Sequence, residues 1–139
     1  AGIERINLEV PYKMELDWML PAPAQGALVV VCRDNDPEIK MACQNLNHAT
    51  SALCTGIERA FLRTLMGGCS MPIGAIAERN GDTIHFKGNV LSLDGTQKAE
   101  IEMEFSIDDL DNAGERAAKK LLACGGDKII HQLKHLIQP

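Results

Sequence analysis

The residues best suited to chemistry lie in one short segment, Gly67-Gly68-Cys69, which follows a predicted helix and precedes a predicted strand. Glycine adopts positive φ at little steric cost and lets a bulky group approach the backbone closely. Pro72 stiffens the exit from the segment, because its ring fixes φ. This arrangement predicts a thiol that is presented to something large, since a core cysteine needs no such turn.

Two features argue against a turnover nucleophile at Cys69. The residue follows the C-terminal end of a helix, where the helix dipole disfavours a negatively charged thiolate. The nearest histidine in sequence, His85, lies beyond the next predicted strand, so no general base stands close by. We therefore expect a thiol that reacts once with a soft, activated electrophile and stays bonded to it. This is an anchor rather than the nucleophile of a cysteine–histidine hydrolase.

The charge balance excludes some classes of partner. The formal net charge is −5, and the nearest approaches to basic clusters are Arg59 with Arg63 and Lys119 with Lys120. Nucleic acids and anionic membranes are bound by clustered Lys and Arg, so we expect neither as a partner. The longest apolar run, residues 27–32, is far too short to cross a membrane.

The cysteines favour reduced thiols in the cytosol. There are five, an odd number, and their spacing contains no C-x-x-C pair of the kind that zinc sites use. Cys43, Cys54 and Cys124 fall on or beside apolar helix positions, where burial in a core is the expected role. His131 and His135 stand one helical turn apart and could share a metal, but no third ligand is evident, and we predict no metal site.

From residue 49 onward the patterns predict an α+β domain with a three-stranded antiparallel sheet and helices on one face. A helix from about Thr50 to Met66 carries apolar residues four apart, and Gly67 is expected to end it with a left-handed cap. Apolar residues then alternate with polar ones over three stretches separated by turn sequences, which predicts a β meander with one wet face, on which His85 lies. Two further helices are expected, over about Asp109–Ala123 and Asp127–Ile137, separated by Gly125-Gly126.

The first 48 residues are organised differently. Ala1–Arg5 has the pattern of the end of a helix, and the proline-rich stretch 21–26 that follows an irregular region is typical of a hinge. Residues 27–32 form a continuous apolar run, which predicts a strand that is covered on both faces. Asp36 and Pro37 predict the start of a helix. Since no parallel partner for the strand follows, we expect residues 1–47 to be disordered, displaced or buried in a self-association contact.

Several motifs, in order along essentially the whole chain, resemble the porphobilinogen deaminase (hydroxymethylbilane synthase) family. They are LNH at 46–48, IERAFLR at 57–63 and LMGGCSMPIG at 65–74, with LPAPAQGA at 20–27 and SLDG at 92–95. The family often has Glu where Met66 stands here, a departure that affects the end of the helix more than the chemistry of the anchor.

The resemblance implies a function. Members of this family are transferases of tetrapyrrole, porphyrin and heme biosynthesis that condense four porphobilinogen molecules head to tail into hydroxymethylbilane, with release of ammonia. Cys69 matches the cysteine that carries a dipyrromethane cofactor through a thioether, and Gly67 and Gly68 match the glycines beside it. Loss of ammonia from a pyrrole gives the kind of soft electrophile that a thiol can trap, which agrees with the anchor predicted above.

The resemblance also implies a domain map. Residues 1–20 would end domain two, 21–26 would be a hinge, 27–48 would return to domain one, and 49–139 would form the cofactor-anchoring domain three. The catalytic aspartate and the arginines that bind substrate carboxylates would then lie upstream, so the chain alone would hold no catalytic residue and be inactive. The partners would be porphobilinogen, the growing oligopyrrole and the upstream domains of the same protein. That protein would be cytoplasmic and monomeric.

Two other classes stay open on the residues alone. One is a non-catalytic binding or regulatory module, an α+β domain whose cysteines are structural. The other is a thiol-redox or zinc protein, which would require a reversible disulfide at Cys69 or a stoichiometric metal.

Overall fold

In the computed structural model, which describes residues 2–65 and 71–137, helices and strands follow the order α-α-α-β-β-β-α-α. The elements are α1 (Gly2–Arg5), α2 (Pro37–Gln44), α3 (Ala49–Thr64), β1 (Ile73–Asn80), β2 (Thr83–Leu91), β3 (Lys98–Ser106), α4 (Ala113–Leu121) and α5 (Asp127–Ile137). A kink within residues 122–126, where Cys124 and Gly125 have non-helical φ and ψ, connects α4 to α5.

The three strands form an antiparallel sheet in the order β1-β2-β3. The register pairs Ile73 with Val90 and Ile84 with Phe105, so the apolar residues of neighbouring strands share one face. That face is buried, whereas the alternate residues of β3, Glu100, Glu102 and Glu104, are exposed. His85 lies on the exposed face, and its Nδ1 is 3.1 Å from Oε1 of Glu104. The predicted meander with one wet face is confirmed.

Helices α3 and α4 pack together and cover the buried face of the sheet. The rings of Phe61 on α3 and Phe86 on β2 meet edge to face, with centroids 5.0 Å apart. Gly114 lies at the contact between the two helices, where a Cβ atom would come within 2.3 Å of the carbonyl oxygen of Ile57. This arrangement confirms the α+β class, and Cys54 is buried in the same core as predicted.

Two details of the C-terminal half differ from the sequence predictions. Helix α4 begins at Ala113, four residues after the predicted Asp109, because Asn112 adopts a left-handed conformation (φ 52°) that stops the helix from starting earlier. Cys124 is exposed, so the prediction that it packs is wrong. Its backbone (φ −87°, ψ 18°) and that of Gly125 leave the helical region at the break between α4 and α5, where Ala123 and Cys124 are exposed.

The N-terminal part follows its capping signals but not its strand pattern. Asp36 caps α2 by accepting a hydrogen bond from the N–H of Ile39 at 3.1 Å, as predicted. Residues 27–32 form no strand, because no neighbouring strand among the described residues offers hydrogen bonds to their backbone. Their side chains are consequently exposed, with Leu28 98% accessible. Helix α2 buries no residue, and Cys43 is half-buried rather than part of the core, which corrects a second prediction.

Candidate functional site

The predicted site residues Gly67, Gly68 and Cys69 lie outside the described residues, as does the predicted helix cap at Gly67. The structure instead shows what precedes and follows them. Helix α3 ends directly before this segment and β1 begins shortly after it. Residues 66–70, which we call the thiol segment, therefore connect two elements of the core.

Both attachment points of the segment are anchored. On the helix side, Leu65 is buried, and its N–H donates to the carbonyl of Phe61 at 3.1 Å. On the strand side, Met71 packs against the core, and the carbonyl of Pro72 accepts from the N–H of Leu91 at 3.0 Å. The core thus fixes the positions of the residues on both sides of the segment that contains Cys69. Fixed flanks of this kind suit a thiol to which a large group is attached.

The four cysteines within the described residues are free thiols in different surroundings. Burial, and then the nearby charge of Glu58, raise the pKa of the Cys54 thiol, so it stays protonated and inert in the core. Burial and the neighbouring Cys32 thiol raise the pKa of Cys43. Cys32 and Cys124 are exposed. Of the four, Cys124 is both exposed and close to core residues on either side, Leu121 and Ile129.

Among residues 2–65 and 71–137, no group of three or more His, Cys, Asp or Glu side chains is arranged to hold a metal ion. The two imidazoles of the predicted helical pair do lie close, with Nε2 of His131 3.4 Å from Nε2 of His135. A zinc site requires further ligands, so this pair alone does not build one.

Glu58 is a buried carboxylate that the sequence analysis did not single out. It is only 6% exposed and lies on the core side of α3. Its Oε1 accepts from the N–H of Ala77 at 2.8 Å and its Oε2 from the N–H of Ala24 at 2.6 Å. The signal in the sequence is the position of Glu58, four residues after Cys54 and three before Phe61, which places an acid on the apolar stripe of the helix.

Several basic side chains on the surface are paired with carboxylates. They include Lys40, Lys87, Lys98 and Arg116. A substrate that carries several carboxylates requires a site rich in Arg or Lys, because bidentate and charge-assisted hydrogen bonds bind such groups best. Among the residues that line the groove described next, Arg59 is the one Arg or Lys.

A groove of about 580 Å³ runs between residues 26–30, the end of α2 and the first half of α3. Its walls include the exposed apolar Leu28 and Val30, with Arg59 at one side. Arg59 precedes the start of the thiol segment by almost two helical turns, so the groove and the thiol segment are associated with different parts of α3.

None of the helices that the structure describes is long and apolar enough to span a membrane.

Comparison with known proteins gives two family matches. Residues 52–123 match the family model described as "Porphobilinogen deaminase, C-terminal domain". Residues 1–41 match the model described as "Porphobilinogen deaminase, dipyromethane cofactor binding domain".

Similar curated proteins carry the same family name. A porphobilinogen deaminase of Desulforamulus reducens is 35% identical over 96% of this chain and 44% of its own length. A porphobilinogen deaminase of Listeria innocua is 38% identical over 84% of this chain and 37% of its own length. A chloroplastic porphobilinogen deaminase of Pisum sativum is 38% identical over 91% of this chain and 36% of its own length. The chain therefore spans less than half the length of these relatives.

Proposed function

Because the chain belongs to the porphobilinogen deaminase family, we propose that it is part of a transferase that condenses four porphobilinogen molecules head to tail into hydroxymethylbilane. Ammonia is released at each condensation. The observation that carries the proposal is that the family's C-terminal-domain match, 52–123, contains the whole thiol segment, all of β1 and helix α3 from residue 52 onward.

Cys69 is the residue that would hold the dipyrromethane cofactor. Attachment forms one S–C bond as the thiol loses its proton and the pyrrole loses ammonia. When bound, the cofactor supplies the primer on which the chain of pyrroles is extended. The donor chemistry fits, since a thiol between Gly68 and Ser70 has flanks anchored in the core, whereas the Cys54 thiol is buried. Gly67 and Gly68 would leave room beside the backbone for the attached group.

We further propose a division of the chain that agrees with the distribution of the core. Residues 49–139 form the cofactor-anchoring domain, since every buried hydrophobic residue of the described core lies between Cys54 and Leu133. Residues 27–48 belong with an upstream domain, which would pair and cover the exposed Leu28–Val31 stretch. Residues 1–20 belong with a second upstream domain, and 21–26 connect the two parts.

The catalytic acid–base group and the cationic substrate site are proposed to lie in those upstream domains. The net charge of −5 and the paired surface cations support this assignment. The partners of the chain are then porphobilinogen, the oligopyrrole and the upstream domains, with no nucleic acid or membrane. We propose a monomeric complete protein in a reducing compartment, the cytosol, as the free thiols suggest.

The decisive experiment is the intact mass of the complete protein that contains this chain. We expect a mass increase that corresponds to one dipyrromethane, located by peptide mapping on the peptide with Cys69. The adduct should be absent in Cys69→Ser and present in the matched control Cys124→Ser, which removes an exposed thiol elsewhere. An unmodified Cys69 in an active protein would refute the anchor. An unmodified, inactive protein would favour a non-catalytic binding module instead.

A further inference from the structure

A short stretch before the groove, residues 20–24, lies along the outer edge of β1, and we refer to it as the strap. The carbonyl of Pro21 accepts from the N–H of Ala75 at 2.9 Å. The N–H of Ala75 points away from β2 and thereby finds its acceptor on the strap. Unpaired edge donors attract other strands, so the strap also protects the edge of the sheet.

The strap packs tightly against the sheet at Gly74. A Cβ atom there would come within 2.9 Å of the Cβ of Leu20 and within 2.7 Å of Oδ1 of Asn89. That Asn89 oxygen accepts from the N–H of Gly74 at 3.1 Å. The sheet thus leaves a space for the strap that a larger residue at position 74 would fill.

The carboxylate of Glu58 binds the other end of the strap. Its two carboxylate oxygens accept from Ala24 in the strap and from Ala77, the next outward-facing amide of β1 after Ala75. One side chain of α3 therefore joins the strap, the helix and the strand edge. Both oxygens are acceptors, so an amide in place of the carboxylate would turn a donor towards one of the two N–H groups.

The backbone at Ala24 shows that the strap is held under constraint. Ala24 has φ 61°, in the left-handed region that residues with a Cβ rarely adopt. Such a conformation persists where the surroundings impose it. Turn hydrogen bonds from the N–H groups of Gln25 and Ala27 contribute to this bend, and the hydrogen bond from the N–H of Ala24 to Glu58 holds it against α3.

We propose that Glu58 is a positioning residue whose carboxylate clasps the strap to the edge of β1 and thereby sets where the N-terminal part of the chain lies relative to α3 and β1. These two elements flank the thiol segment, so the clasp and the anchor share one rigid frame. The clasp does not depend on the proposed function, and the mass experiment above can fail without affecting it.

Residue-resolved amide hydrogen exchange, measured by NMR on the 139-residue chain, tests the clasp. In Glu58→Gln we expect exchange at the amides of Ala24 and Ala77 to accelerate by about tenfold to a hundredfold, since a hydrogen bond to a charged acceptor is lost. The amide of Ile101 in β3 should change little. The matched control is Glu102→Gln, which removes an exposed carboxylate from the sheet. A uniform acceleration at all sites, or none at Ala24, would overturn the proposal.

A second variant separates positioning from general destabilisation. Ala24→Gly keeps the N–H but removes the penalty for a left-handed φ. In the Glu58→Gln background it should restore part of the protection of the residue-24 amide and leave that of Ile101 unchanged, whereas relief of a global loss of stability would raise both. If Glu58→Gln fails to fold, the unmodified chain is decisive. Exchange of the Ala24 amide at the rate of a free loop would then refute the clasp.

Discussion

Gly114 occupies a position where α3 leaves no room for a side chain. An added Cβ would lie 2.3 Å from the carbonyl oxygen of Ile57, 2.7 Å from the Cβ of Ala60 and 2.8 Å from the nitrogen of Phe61. Two of these three atoms belong to the backbone of α3 and cannot rotate away. Ordinary contact begins at 3.4 Å, so the shortest distance falls short by 3.4 − 2.3 = 1.1 Å. The helices would have to separate by about that distance.

The cost of Gly114→Ala follows from this separation. Overpacking a well-packed core costs about 1–3 kcal/mol, and rigid backbone on the other side places this site at the upper end. Alanine in place of glycine inside a helix returns about 1 kcal/mol through propensity. We therefore expect a net loss of about 2 kcal/mol in the free energy of unfolding.

Gly56→Ala is the matched control, because the same substitution is made on α3 itself. An added Cβ there meets nothing within 4 Å, and Gly56 is exposed. It should stabilise the chain by about 0.5–1 kcal/mol. Both variants change the unfolded chain in the same way, so their difference, about 3 kcal/mol, reports the α3–α4 contact almost alone.

Urea denaturation followed by far-UV circular dichroism measures both free energies. Fluorescence is a poor alternative, since the single tryptophan, Trp18, is exposed and lies outside the core. If Gly114→Ala were as stable as the unsubstituted chain, the packing of α4 on α3 would be wrong. A loss of stability in Gly56→Ala would instead show that its side of α3 is covered.

Two further predictions concern the surface. Hydrogen bonds from Ser92 and Thr96 hold the pKa of Asp94 below its usual range. The stabilisation that these hydrogen bonds contribute should therefore be present above the ordinary Asp pKa, about 3.9, and should be lost as the pH falls through the lower pKa of the folded state. The exchange rate of the Thr96 amide, relative to its intrinsic rate, should rise in a step over that pH range. Asp94→Asn should abolish this step. A step that survives in the variant would show that another group causes it. We also expect the isolated chain to self-associate through its exposed valines, and Val29→Lys with Val31→Lys to reduce this in sedimentation velocity. A monomer at all concentrations without the substitutions would contradict this expectation.

The sheet and its helices could be predicted because their patterns are local. Alternating residues such as Ile101 and Glu102 identify a strand with one buried face. The start of α4 could not be predicted, since Asp109, Asp111 and Asn112 are all acceptable caps and the conformation of Asn112 decided between them. The prediction that Cys124 packs in the core was wrong for a similar reason, because a break in the helix placed an apolar position on the surface.

The stretch 27–32 shows where local patterns stop being sufficient. An apolar, β-branched run predicts a strand only if other strands supply its hydrogen bonds. The described residues supply none, and the run stays exposed. The predicted burial of Cys43 was wrong as well, since α2 has no buried residue in the described part of the chain.

The candidate site was predictable in part. The Gly-Gly-Cys pattern predicts an anchor at Cys69, which stays a prediction, and the structure shows that residues on both sides of this segment are held in the core. Glu58 was missed because a charged residue in a helix is ordinarily solvated. Its role depends on Ala24 and Ala77, which lie 34 residues before it and 19 after it, and no local pattern connects such distant positions.

The position of Glu58 on α3 has a consequence for the anchor. From Glu58 to Leu65 the helix advances seven residues, about 10 Å along its axis, and both ends of this stretch are buried. A short helix packed on a sheet moves as one body, because its side chains interdigitate with the core. Displacing the strap would therefore require the carboxylate to leave Ala24 rather than the helix to bend. Glu58 thus links the strap to the helix whose end precedes the thiol segment. For the N-terminal part of the chain to detach, both this contact and the hydrogen bond between Pro21 and Ala75 must break.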